Sequence, residues 1–335
     1  MATIRDVARR AGVSSSTVSL TFSDASRVSA ETAKKVRSAA VALGYRPNPL
    51  AQGLKRGRSR MIGMVVGDLS NPFFGSLLKE VERLAKRSNY NIIVAESEAD
   101  QAQELAVLSH LADQRIAGCL LFPHGRGAAY VETLNEFDLP IVTLDHKVEG
   151  GAFDFVCSDN RIATSMLTEH LLRLGHRRIT HLSGPAHFWT GAERIKGFEH
   201  TMRSAGFTDF DIVDGGYMAD PAYAETMRLM TRSERPTAIV AANNVMALGC
   251  LAAIKDLGVR CPEDVSLAAI DNVPWNSVID PQLTLVEQDL SRLARIATSY
   301  LLERIENPDI DAYPPRETVL TPRLVVGTST KRYGS

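Results

Sequence analysis

Thr3-Ile4-Arg5-Asp6-Val7-Ala8-Arg9-Arg10-Ala11-Gly12-Val13-Ser14-Ser15-Ser16-Thr17-Val18-Ser19-Leu20 reads as a helix, a tight turn and a second helix. Ile4, Val7, Ala8 and Ala11 recur at helical spacing, with Arg5, Arg9 and Arg10 on the other sides. Thr3 followed three residues later by Asp6 makes a capping-box-like start with an acid in the first turn. Gly12 supplies the turn conformation that a Cβ disfavours, and Ser14 can cap a second helix through Thr17, Val18 and Leu20. Two short helices around a Gly turn describe the DNA-binding helix-turn-helix, whose second helix enters the major groove. By geometry alone, any small helical hairpin reads the same.

Charge separates the two readings. The first 60 residues hold 12 Lys or Arg against 3 acids, a net +9. The other 275 hold 26 against 36, a net −10. A basic head on an acidic body points to phosphate contact made by the head alone. Glu31–Leu43, with Ala33, Val36, Ala40 and Leu43 on one face, predicts a third helix ended by Gly44. Pro47 and Pro49 then open a linker to Arg60, in which Gly53 keeps a short helix from standing unaided.

A chain of 335 residues predicts two or three domains. No run of about 18 apolar residues predicts a membrane span, and the polar N-terminus lacks an apolar signal core, so a cytoplasmic protein is expected. The four cysteines lack C-x-x-C spacing, and Cys119, Cys157 and Cys250 fall in apolar contexts that predict buried free thiols. From Met61 strands and helices alternate. Strands are expected at Ile62–Val66, Asn91–Ala95, Gly118–Phe122 and Ile141–Leu144, and again near Ile179–Ser183, Ala238–Ala241 and Val265–Ile270. Helical patterns interleave them, from Phe73–Ser88 to Val245–Leu257. The alternation predicts two doubly wound parallel sheets in tandem, with a cleft at the carboxyl ends of the strands.

An enzyme is not expected. Gly125-Arg126-Gly127 invites a dinucleotide reading, but Tyr130 stands where the third glycine belongs. No G-x-S-x-G elbow, P-loop or H-E-x-x-H occurs, the histidines lack metal-ligand spacing, and neither cofactor nor metal is expected.

The segments Ile4–Ala8, Ala11–Ser14, Thr17–Ser19, Arg27-Val28-Ser29 and Leu43-Gly44-Tyr45-Arg46-Pro47-Asn48 closely resemble the lactose-repressor (LacI/GalR) family. The resemblance runs to about residue 328. It implies an all-α helix-turn-helix head at 1–46, a hinge segment at 47–60 and an effector-binding and dimerisation core at 61–335. That core should resemble a periplasmic sugar-binding protein, with α/β subdomains at about 61–159 plus 289–320 and at about 160–287. Ser15, Ser16 and Leu20 match the family's base-reading positions, while Thr3, Ser14, Thr17 and Arg27 match DNA-facing ones. Asn48, Ala51 and Leu54 match the hinge, where a leucine wedges into the minor groove.

Cleft residues follow from strand ends and from the resemblance together. Asp68, Asn71 and Phe74 come after the first strand, and Asp145 after the fourth. Trp189 lies in the segment that resembles the effector loop, and Arg194 matches the effector-binding arginine. Tyr217 matches the cleft aromatic, and Asn244, Asp271 and Gln288 match effector-contacting positions. Read without the family, Arg194 is an ordinary surface charge, Asn71 a helix cap and Phe74 core. Acids, amides, an arginine and rings converging in a cleft suit a sugar, sugar acid or polyol. Phe188 stands where the family's purine-binding member has arginine, which speaks against a nucleobase. The expected protein is a ligand-responsive repressor, binding a pseudo-palindromic double-stranded operator as a homodimer. The alternatives are control by a nucleobase or a phosphoprotein corepressor, or a sugar-binding module without DNA function.

Overall fold

The computed structural model describes residues 2–23, 27–45, 59–307 and 314–334. The hinge residues Asn48, Ala51 and Leu54 lie outside them. The chain forms two compact units, one of residues 1–60 with 113–117 and the other of residues 61–112 with 118 onward.

In the first unit, α1 (Ile4–Ala11) begins at a complete capping box. The Asp6 N–H donates to Thr3 Oγ1 at 3.4 Å, and the Thr3 N–H donates to Asp6 Oδ2 at 2.9 Å. Gly12 ends it at φ +67°, in the left-handed region. The Ser14 hydroxyl caps α2 (Ser15–Ser23), accepting the Thr17 N–H at 3.0 Å. Ser29 caps α3 (Ala30–Ala42) in the same way. Val7, Ala8, Val18, Val36, Ala39 and Ala40 form the small core beneath the three helices. The expected third helix appears within one residue of its predicted ends.

The second unit begins with β1 (Met61–Val66), α4 (Pro72–Arg87), β2 (Asn91–Glu96), α5 (Gln101–Asp113), β3 (Gly118–Leu121), α6 (Ala128–Glu136), β4 (Ile141–Leu144) and β5 (Asp154–Ser158). It continues with α7 (Asn160–Arg173), β6 (Ile179–Ser183), α8 (Trp189–Ser204), β7 (Asp211–Asp214), α9 (Ala219–Met230), β8 (Ala238–Ala241) and α10 (Asn244–Asp256). The last elements are β9 (Ser266–Ile270), β10 (Thr284–Glu287), α11 (Leu290–Glu306), β11 (Glu317–Leu320) and β12 (Arg323–Val325).

Two six-stranded sheets result, ordered β11-β5-β4-β3-β1-β2 and β12-β10-β9-β8-β6-β7. Every pairing is parallel except β10 with β12. The chain leaves the first sheet after β5, returns as α11 after β10, and passes back between β11 and β12. Both sheets are buried on both faces, as parallel sheets require. Met64, Val66, Leu120 and Val142 face α4 and α11, while Ile239, Leu267 and Leu285 face α10. β12 falls where Arg323–Gly327 reads as a last strand, and four strands went unread in the sequence: β5, β7, β10 and β11. Cys119, Cys157 and Cys250 are buried free thiols and Cys261 is half-buried. No described helix is long and apolar enough to cross a membrane.

Candidate functional site

The carboxyl ends of both sheets enclose a cavity of about 380 Å³, within the range of small-molecule sites. The first sheet contributes Asp68 and the start of α4, where the Asn71 side chain caps the helix by accepting the Phe73 N–H at 3.0 Å. Glu96 and Glu98 stand after β2, His124 after β3, and Asp145 and His146 after β4. The second sheet contributes Phe188, Thr190, Arg194, Tyr217, Asn243 and Asp271.

Arg194 is the centre of a fixed polar network. Its Nε donates to Asn160 Oδ1 at 2.7 Å and its Nη1 to the Ala242 carbonyl at 2.6 Å. Its guanidinium lies 5.6 Å from the centre of the Tyr217 ring, and the Tyr217 hydroxyl meets Thr190 Oγ1 at 2.9 Å. Gly184 makes room for that ring, because a Cβ there would lie 2.1 Å from Tyr217 Cζ. Gln288 donates from Nε2 to Asp271 Oδ1 at 2.6 Å. His124, His146 and Phe188 form an aromatic wall. Phe188 stands nearly perpendicular to both histidines, with centroids 5.3 and 5.7 Å away.

Burial pushes the Asp145 carboxyl up to about 6, against the pull of Arg194, and Asp271 raises it further. Asp271 is likewise raised by burial, although Arg194 and Gln288 favour its charge. Burial, with His124 and Arg194 nearby, holds His146 well below its ordinary value, so it is neutral. Asp145 Oδ1 is buried with no hydrogen-bond partner. Asp145, Tyr217 and Asp271 all have positive φ, between 62° and 72°. Left-handed backbone at non-glycine residues costs roughly 1–3 kcal/mol each and is retained mainly at functional sites. Among the described residues, no group of His, Cys, Asp and Glu is arranged to hold a metal ion.

Comparison with known proteins gives the family. Residues 3–48 match the family described as bacterial regulatory proteins, lacI family, and residues 168–330 match the periplasmic binding protein-like domain. The transcriptional repressor PurR of Photobacterium profundum is 32% identical over 334 residues, covering 99% of each chain. The chain belongs to the LacI family. The structure of the lac repressor dimer bound to operator and the anti-inducer ONPF is 26% identical, with TM-score 0.85, over 98% of this chain and 99% of that one. The regulator CelR in complex with cellobiose is also 26% identical, with TM-score 0.73, over 98% and 100%. This chain is therefore a LacI-family DNA-binding repressor with an effector-binding domain.

In this LacI-family chain, seven of the ten sequence-predicted cleft residues line the cavity: Asp68, Asn71, Phe74, Asp145, Arg194, Tyr217 and Asp271. Three do not. Trp189 packs edge-on against Phe155, with centroids 5.5 Å apart. The reason is that α8 already begins at Trp189, inside the segment that resembles the effector loop. Thr190 and Arg194 then share the cavity face at i, i+4, and Trp189 falls on another. Asn244 is buried behind the wall, where its Nδ2 donates to the Asn272 carbonyl at 3.3 Å. Its neighbour Asn243 lines the cavity instead, capping α10 and donating to the Tyr217 carbonyl at 3.1 Å. Gln288 backs Asp271 from outside the cavity. Sequence reasoning missed His124, His146, Glu96, Glu98, Thr190 and Asn243. Their signal was available for the first two, since both follow buried strands.

On the LacI-family head, Ser14, Ser15, Ser16 and Arg27 are exposed, while Thr17 and Leu20 are half-buried. Ser15 and Ser16 form the first turn of α2. Thr17 shares a 2.8 Å hydroxyl contact with Ser14, and Thr3 is an exposed cap.

Proposed function

We propose that this repressor binds its operator as a homodimer, and that a neutral polyhydroxylated molecule, a sugar or polyol, sets its affinity. Asp145 carries the reading: it lines the cavity, and its Oδ1 is an enclosed acceptor without a donor. Leaving such a group unpaired costs about 1–3 kcal/mol, and a ligand hydroxyl supplies the missing hydrogen. Arg194 is the one cationic residue in the lining, and Asp145 and Asp271 already share it. Asp68, Glu96 and Glu98 add negative charge at the same cavity. A sugar acid would enter against that field, so we narrow the class to neutral ligands. Phe188 stands nearly perpendicular to His124 and His146 in the wall, and Phe74 and Phe188 suit the C–H patches of a sugar.

On this reading the head at 1–46 reads bases through Ser15, Ser16 and Leu20, with Ser14 and Thr17 on phosphates. The segment 47–60 is the hinge, and Leu54 is its wedge. The test is thermal shift of the full chain with neutral mono- and disaccharides, polyols, sugar acids and nucleobases. A neutral sugar or polyol should raise the melting temperature; at a hundred times its Kd the gain is about 2.7 kcal/mol. A shift with a sugar acid or nucleobase alone would replace the proposed class. No shift with any of them would point to a protein corepressor.

A further inference from the structure

Behind the cavity wall lies a buried cluster that effector contact alone does not explain. Glu104, on α5, is fully enclosed, and among the described residues it pairs with no Lys or Arg. Its Oε2 accepts the His124 backbone N–H at 2.8 Å and faces His124 Nδ1 at 3.3 Å. Its Oε1 accepts the Tyr130 hydroxyl. Gly125 admits the tyrosine, since a Cβ there would lie 2.1 Å from Tyr130 Cδ2. The glycine that invited a nucleotide reading therefore makes room for a ring that holds Glu104.

Both Glu104 oxygens already act as acceptors, Oε2 from the His124 N–H and Oε1 from the Tyr130 hydroxyl, so the ring nitrogen facing Oε2 is placed to donate. A neutral imidazole protonated at Nδ1 leaves Nε2 as an acceptor. The His124 side chain is 8% exposed and lines the cavity. Its Nε2 edge lies over Gly67 in the cavity wall, where an added Cβ would come within 2.7 Å. Nε2 has no hydrogen-bond partner among the described residues.

We propose that Glu104 is a positioning residue that fixes His124 as its Nδ1–H tautomer. The Nε2 acceptor so presented selects effectors with a hydroxyl or amino hydrogen at that point of the cavity. The proposal rests on the reading of the cavity as the effector site. The Asp145 and Asp271 carboxyls line the same space, so a ligand oxygen without a hydrogen would meet lone pairs there.

The tautomer is read without ligand by ¹⁵N NMR of the full chain labelled in histidine, with His124→Phe assigning the signal. The expected spectrum has a protonated Nδ1 and an unprotonated Nε2. Glu104→Gln keeps an amide oxygen facing Nδ1 and should preserve it, whereas Glu104→Leu should release the ring toward Nε2–H. A protonated Nε2 in the unsubstituted protein overturns the proposal, as does a Glu104→Leu spectrum identical to it. D-ribose, D-glucose and cellobiose then serve as probes. One that binds should shift Nε2 and bind His124→Phe at least tenfold more weakly; binding that leaves Nε2 unmoved overturns the contact. Silence from all three counts against the polyhydroxyl reading, and the ligand-free spectrum still decides the role of Glu104.

Discussion

Asp145 concentrates the conflicts of the cavity in one side chain. It is half-buried with Oδ1 enclosed and unpartnered, has positive φ, and has its carboxyl raised to about 6. In an unfolded chain the same group titrates near 3.9. The folded state therefore holds the proton more tightly between about pH 4 and 6, and this residue's contribution to stability falls as pH rises through that window. Asp145→Asn removes the term. The wild-type stability, measured against the variant by urea unfolding from pH 4 to 7, should fall by about 2–3 kcal/mol over the window. A constant difference would show that Asp145 is not strained by burial. Buried histidines such as His181, held at about 4, bend both curves in the opposite sense and cancel in the difference. Residues were legible where chemistry and a strand end coincided, as at Asp68, Asp145 and Asp271. Asn243 and Asn244 differ by one position on a helix start, and only the cap geometry separates them.

At the scale of elements, β5 and β11 show why four strands escaped the pattern. Asp154-Phe155-Val156-Cys157-Ser158 begins with an acid, an unlikely residue for a strand buried throughout. The acid is a junction. Arg304 of α11 donates to both Asp154 oxygens at 3.0 Å, and Arg316, just before β11, donates to it from its backbone and side chain. Burial would raise that carboxyl, but the two guanidiniums hold it at about 2. Its contribution is thus present above about pH 4 and is lost as pH falls toward 2. Glu317–Leu320 alternates exposed and covered positions at the sheet edge, and Asp211–Asp214 and Thr284–Glu287 are only four residues long. Such short runs carry little periodicity. Asp154→Asn keeps the volume and removes the charge that joins three elements. It should destabilise the chain by about 3–5 kcal/mol in urea unfolding at pH 7; a change under about 0.5 kcal/mol would reduce the junction to a surface pair.

Over the whole molecule, charge is divided as function requires. The head's +9 against −10 elsewhere assigns phosphate contact to the head and leaves the core free to answer a ligand. The doubly wound sheets were legible because hydrophobic strands alternated with amphipathic helices over about 200 residues, a signal no single misread end could erase. A ligand acts on operator affinity only through its differential affinity for DNA-competent and incompetent states, and about 1–3 kcal/mol of coupling gives a five- to 150-fold change. The two binding events should then separate by salt. If two heads make about 6–10 phosphate contacts, operator affinity falls by about 10³–10⁵ between 50 and 200 mM salt. Binding of a neutral effector releases no comparable counterions and should change less than about twofold over the same range. Fluorescence anisotropy of a labelled operator, run beside calorimetry of the effector, compares the two slopes directly. A shallow operator slope would mean that the basic residues of the head do not face phosphate. A steep effector slope would mean that the ligand is itself charged, against the field of Asp68, Glu96, Asp145 and Asp271.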